Sequence, residues 1–205
     1  MVNSVGNTLM VAVFLAASTF ATAAIPAPAK RLAMQTGAIT SQPIGHYEFC
    51  QKYKSECKVQ TANPKAAALT KAGWRTVRSI NASFNRSIKP MTDMDIHGKD
   101  EVWSYPSKVG DCEDFVLAKR KALISRGFSP STLLITVVRK PDGEGHAVLT
   151  LRTTEGDFIL DNLNDSVRLW TQTPYRFLKR QAANNSGRWV TIQGGVEILV
   201  GSVGN

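Results

Sequence analysis

The alternation of apolar and polar positions divides the chain into a helical first half and a β-rich second half. Between Lys65 and Ile88 the apolar residues Leu69, Trp74, Val77, Ile80, Phe84 and Ile88 recur every three to five positions. That spacing predicts one long helix with a single buried stripe, opened by Asn63-Pro64 and ended by Pro90. A second helical pattern starts at Asp111, the expected N-cap. It runs through Cys112, Phe115, Val116, Ala118, Leu123 and Ile124 to a stop at Gly127. The period then changes. Leu133 to Arg139, His146 to Thr153 and Asp157 to Leu160 are β-branched or alternating runs joined by the turns Pro141-Asp142-Gly143 and Glu155-Gly156, which predicts an antiparallel meander. Arg168 to Gln181 reads as a loop and short helix over the sheet. Trp189 to Ile192 and Val196 to Val200 read as short terminal strands. Helices first and an antiparallel sheet after is the order of an α+β domain.

The N-terminus follows different rules. Leu9 to Phe20 is an uncharged apolar stretch and Ala21-Thr22-Ala23 offers a small-x-small cleavage site, so residues 1–24 read as a signal peptide. The alternative is an uncut membrane anchor, although the apolar run is short for a span. Residues 25–42, rich in Ala, Pro, Gln and Thr, read as an extended lead-in. Residues 43–205 read as one domain, with no later segment apolar enough to cross a bilayer.

Export changes the meaning of the three cysteines. In an oxidising compartment the nearby Cys50 and Cys57 are expected to form a local disulfide rather than a metal site, which leaves Cys112 as the odd thiol. The net charge of +9 raises nucleic acid as a partner. The basic residues are scattered without aromatic interleaving, so acidic proteins, anionic envelope surfaces or simple solubility are the readings kept.

Cys112 lies where a reactive cysteine would be placed, because the free N–H groups and positive end of a helix favour the thiolate. His146 opens the second strand of the meander and Asp161 ends the third. A Cys activated by an imidazole, itself oriented by a carboxylate, is the arrangement that acyl transfer requires. Each residue also has a plain structural reading, as buried thiol, strand histidine or turn cap.

The stretches Trp103-Ser104-Tyr105-Pro106, Gly110-Asp111-Cys112-Glu113-Asp114-Phe115, Lys119-Arg120, Gly145-His146-Ala147-Val148-Leu149, Leu160-Asp161-Asn162 and Phe177-Leu178-Lys179-Arg180-Gln181 resemble the bacterial transglutaminase-like cysteine proteinases. That group includes the LapG-type periplasmic proteases. The resemblance implies a papain-like, transglutaminase-like core with Cys112 as nucleophile, His146 as base and Asp161 as its orienting partner. It further implies a periplasmic cysteine endopeptidase acting on a protein of the cell envelope. In the LapG-type case the implied substrate is a large surface adhesin, linked to biofilm formation, and the implied partner is an inner-membrane receptor that sequesters the protease. Transglutaminase-type amide transfer and a non-catalytic envelope-binding module on the same fold are the alternatives.

Asp111, Glu113 and Asp114 suit a helix N-terminus but oppose ionisation of the thiol among them. A bound Ca²⁺ held by these oxygens resolves the conflict, and the LapG resemblance implies calcium beside the nucleophile. The alternative is plain capping with ion pairs to Lys119 or Arg120. Asp93 and Asp95 form only a weak Asp-x-Asp signal. For the oxyanion, the Cys112 backbone N–H is the expected first donor and the Trp103 indole the candidate second, with a core role for Trp103 as the alternative.

Overall fold

The computed structural model describes residues 1–2 and 32–193. The signal-peptide reading of residues 1–24 and the strand expected at Val196 to Val200 lie outside the described residues. The chain enters through β1 (Thr36–Thr40), then α1 (Ile44–Lys52), α2 (Lys71–Ser87), β2 (Lys89–Pro90), α3 (Asp93–His97), β3 (Val109–Gly110) and α4 (Cys112–Ser125). It continues as β4 (Leu133–Arg139), β5 (Gly145–Thr153), β6 (Gly156–Leu160), β7 (Arg168–Leu169), β8 (Arg176–Ala182) and β9 (Asn185–Ile192). Seven strands form one antiparallel sheet in the order β1-β9-β8-β4-β5-β6-β7, and β2 pairs with β3 in a separate parallel ribbon. The expected α+β class and the meander of β4, β5 and β6 are both present.

Strand alternation distributes the core between the two faces of the sheet. Leu149 and Leu151 of β5 join Leu133 and Ile135 of β4 against Phe49, Val77, Val116, Leu117 and Leu123 from the helices. Val148 joins Met34, Val138, Ile159, Phe177 and Ile192 in a second cluster. Each fully buried leucine in this arrangement contributes about 2 kcal/mol. Glycine turns close the elements where expected: Gly127 follows α4 at φ 87° and Gly156 makes the β5–β6 turn at φ 127°, conformations that disfavour a Cβ.

Three expectations change. The long helix begins at Lys71 rather than Lys65, with Thr70 capping it by accepting from Gly73 N at 3.1 Å. Residues before it are drawn into sheet contacts instead: Ala67 N donates to Arg152 O and Ala67 O accepts from Thr154 N, both at 3.0 Å. The lead-in is not merely a tether, because Thr36–Thr40 forms the edge strand beside β9 and Met34 is buried. The segment read as loop and short helix contains β8, an interior strand between β9 and β4. Its buried polar residues hid it, and each of the three has a specific partner. Arg180 pairs with Asp157 at 3.0 Å, Lys179 Nζ donates to Ser41 O at 2.9 Å, and Gln181 Nε2 donates to Ser186 O at 2.7 Å.

Candidate active site

Cys112 is the first residue of α4, and Asp111 holds extended backbone at the N-cap without a side-chain cap bond. The thiol accepts a hydrogen bond from Ala147 N at 3.4 Å, which places it beside the backbone of the residue following His146. It donates to Glu113 Oε2 at 3.0 Å. Among the described residues Cys112 and His146 share no direct hydrogen bond. Burial pushes the Cys112 thiol well above its usual range, and the neighbouring charges of Glu113 and Asp111 push the same way against the Ala147 N–H.

His146 and Asp161 do meet. His146 lies on β5 and Asp161 directly follows β6, the strand beside it; both are buried, with His146 Nε2 2.9 Å from Asp161 Oδ1. The other ring nitrogen, Nδ1, makes no hydrogen bond among the described residues. The same Oδ1 accepts from Leu163 N at 3.0 Å, and Oδ2 accepts from the Tyr175 hydroxyl at 2.5 Å. Burial alone would raise the Asp161 pKa. The bonds from His146, Tyr175 and Leu163 outweigh it and hold the carboxyl below its usual value. Tyr175 also sets its ring against His146 with centroids 5.5 Å apart. The sequence offered little sign of that role, because Pro174-Tyr175 precedes a strand that was itself disguised. Behind Asp161, α2 reaches the same loop: Asn85 Nδ2 donates to Asp161 O at 2.9 Å and to Asp165 Oδ1 at 2.8 Å.

The acidic cluster differs from the set expected. Asp93, Asp111 and Glu113 bring carboxylate oxygens within 4.8 Å of one another. Asp114 is turned away, accepting from Ser104 N at 2.7 Å and from Ser104 Oγ at 3.3 Å, so it anchors the loop before β3. Asp93 takes its place because Met91 N donates to Gly110 O and Pro90 pairs with Gly110, which carries the start of α3 to the start of α4. Asp95 is occupied with its own helix cap at Thr92. Burial followed by the charge of Asp93 raises Asp111 to about 7, and burial followed by the charge of Asp111 raises Glu113 to about 9. Asp93 Oδ1 and Asp111 Oδ1 are buried without a hydrogen-bond donor among the described residues. Crowded carboxylates, two buried and one half-buried, with orphaned oxygens are a donor set that fits a hard divalent cation. Neither Lys119 nor Arg120 neutralises the cluster by an ion pair among the described residues; Arg120 pairs with Glu56 at 3.3 Å.

Trp103 occupies the position of its alternative reading. Its indole lies in the core, edge-on to His46 and Trp189 at 5.3 and 6.4 Å. Its Nε1 is buried without a partner among the described residues, against Gly45, where a built Cβ would lie 2.6 Å away. That N–H faces α1, so it is not placed as the second oxyanion donor. The expected disulfide joins Cys50 and Cys57, and Cys112 is the free cysteine.

Residues 36–197 match the family model of the bacterial transglutaminase-like cysteine proteinases. Calcium-bound LapG of Legionella pneumophila is similar in structure, with 26% identity over 57% of this chain and 68% of that chain and a TM-score of 0.50. Legionella pneumophila LapG treated with EGTA matches at 26% identity over 58% and 67% of the two chains, with a TM-score of 0.49. No curated protein matches. With a match that spans most of the domain, this chain belongs to the bacterial transglutaminase-like cysteine proteinases and is a cysteine peptidase.

Proposed function

We propose that this peptidase is a periplasmic endopeptidase that cuts an exported or surface protein, of the adhesin type, through a Cys112–His146–Asp161 triad. The observation that carries the reading is the buried His146–Asp161 bond beside a free cysteine at a helix N-terminus. The Cys112 thiol gives its proton to His146, and Sγ attacks the scissile carbonyl. The oxyanion that develops lies at the start of α4, where the Cys112 N–H is a ready donor. His146 returns the proton to the leaving amine, leaving an acyl-enzyme that water hydrolyses. Asp161 holds the imidazole in one tautomer and stabilises its charged form. An amine in place of water would give amide transfer from the same intermediate.

Asp93, Asp111 and Glu113 are the residues that would hold Ca²⁺, the ion present in one similar LapG structure. The ion would supply the positive charge that lets three neighbouring carboxylates stay ionised beside the thiol. An inner-membrane receptor that sequesters the peptidase belongs to the same proposal. No described helix is long and apolar enough to cross a membrane.

The test compares envelope and secreted proteins of cells carrying wild-type or Cys112→Ala protein. One fragment should be lost from the secreted fraction of the variant and its precursor retained on the cell. Identical profiles from cells shown to contain both proteins would overturn the reading.

A further inference from the structure

Charge is unevenly placed on this molecule. From Cys57 to Thr92 the sequence contains seven Lys and Arg and no Asp or Glu. Within that stretch α2 exposes Lys71, Arg75, Arg78 and Arg86. Arg86 has a distant partner in Asp165 at 4.0 Å, and Arg78 lies over the Trp74 ring at 5.4 Å. Arg75 and Arg126 have no carboxylate partner among the described residues.

Helical geometry gathers these groups along a groove. Arg75, Ser79 and Ser83 recur every four residues, so they share one edge of α2. The facing edge of α4 presents Ala122 and, at its C-terminal end, Arg126. Between the two helices lies a cleft of about 470 Å³ lined by both arginines and by serine hydroxyls, with buried Ile80 and half-buried Phe84 as its apolar part. No carboxylate lines it. A face kept only for solubility mixes both signs of charge. A flat basic face suits lipid headgroups, whereas an apolar strip between guanidinium groups suits a side chain inserted from a polypeptide. Arginine forks match carboxylates in paired hydrogen bonds.

We propose that the α2–α4 cleft docks an acidic polypeptide segment. An apolar side chain of that segment enters over Ile80 and Phe84, and flanking Asp or Glu residues pair with Arg75 and Arg126. The docking helix is also the one that braces the Asp161 loop through Asn81 and Asn85. The proposal goes beyond the peptidase reading and does not depend on it, because binding is read directly.

The probe is a fluorescein-labelled peptide, Glu-Asp-Glu-Leu-Glu-Asp-Glu, titrated with the full chain in a polarisation assay at physiological salt. Saturable binding is expected, weakened at least tenfold by Arg75→Glu combined with Arg126→Glu and similarly by replacing the peptide leucine with glycine. Lys52→Glu combined with Lys54→Glu changes the net charge equally at exposed sites outside the cleft and should leave binding within about twofold. Equal loss in that control, equal binding of the glycine peptide, or absence of saturable binding overturns the proposal. So does an arginine-dependent association with phosphatidylglycerol vesicles that the peptide does not share. Circular dichroism of each variant checks that the helices are intact.

Discussion

Asp161 is bound through both of its oxygens, and this determines what each partner contributes. Tyr175→Phe keeps the ring against His146 but removes the hydroxyl from Oδ2. A hydrogen bond to a charged group is worth about 1.5–3 kcal/mol. If Tyr175 fixes the orientation of the pair, kcat/KM falls roughly tenfold or more while KM changes little, and the acid limb of the pH profile moves upward as Asp161 loses a stabilising donor. An unchanged profile would limit Tyr175 to packing. His46 provides a second test at this scale. Burial and then the charge of Arg120 lower its pKa to about 3, far below the ordinary value near 6.5. The unfolded chain therefore takes up the proton first as pH falls. Stability is full above about pH 6.5 and declines toward pH 3, by at most ~1.4 kcal/mol per pH unit. Urea midpoints for wild type and His46→Gln between pH 7 and 4 check it, and the variant should lose that part of the slope. Cys112, His146 and Asp161 could be singled out from the sequence because Cys112 opens a patterned helix, His146 stands near the start of a patterned strand and Asp161 directly follows one. Tyr175 could not, because its importance lies in a contact with residues distant in sequence.

Elements are where local patterns and tertiary contacts compete. The β4–β5–β6 meander and α4 were legible from period and turn chemistry alone. The start of α2 was not, since Ala-rich residues with good helix propensity are claimed by backbone bonds to β5. The same competition decided the acidic cluster. Asp93 reaches Asp111 and Glu113 only because β2 pairs with β3, a two-residue ribbon too short to leave a pattern. If Asp93 is a ligand and Asp114 a loop anchor, their variants separate in calorimetric titration with Ca²⁺. Asp93→Ala should weaken binding at least tenfold, while Asp114→Ala should retain binding and lower the melting temperature by freeing Ser104. The reverse pattern would restore Asp114 to the ligand set. Gly45 tests the contact between α1 and the loop carrying Trp103. A Cβ there would lie 2.2 Å from Trp103 Cδ1 and 2.6 Å from the Glu101 carbonyl oxygen. Because the backbone oxygen cannot simply rotate away, Gly45→Ala should destabilise the protein by about 1–3 kcal/mol, measured by urea unfolding.

At the scale of the whole molecule, the sheet closes by bringing distant parts of the sequence to one edge. Thr36 stands opposite Ile192 and Thr40 opposite Trp189, while Lys179 of the next strand reaches across to Ser41 O. The composition of residues 25–42 concealed this, because Ala, Thr and Gln around prolines resemble a linker whether or not a partner strand exists. An unpaired β9 would present its backbone donors and acceptors to solvent or to another chain. It would also uncover Ile192, which is 2% exposed beside Met34. A chain beginning at residue 32 and one beginning at residue 43 therefore distinguish a structural strand from a tether. The longer chain should melt as one transition, and the shorter should melt at least about 5 °C lower and associate at concentrations where the longer stays monomeric. Equal melting temperatures would mean that β1 adds nothing to the fold. Loss of peptidase activity in step with the fall in stability would place its contribution in the sheet as a whole, since β1 is an edge strand separated by β9, β8 and β4 from β5, which holds His146, and from β6, which Asp161 follows.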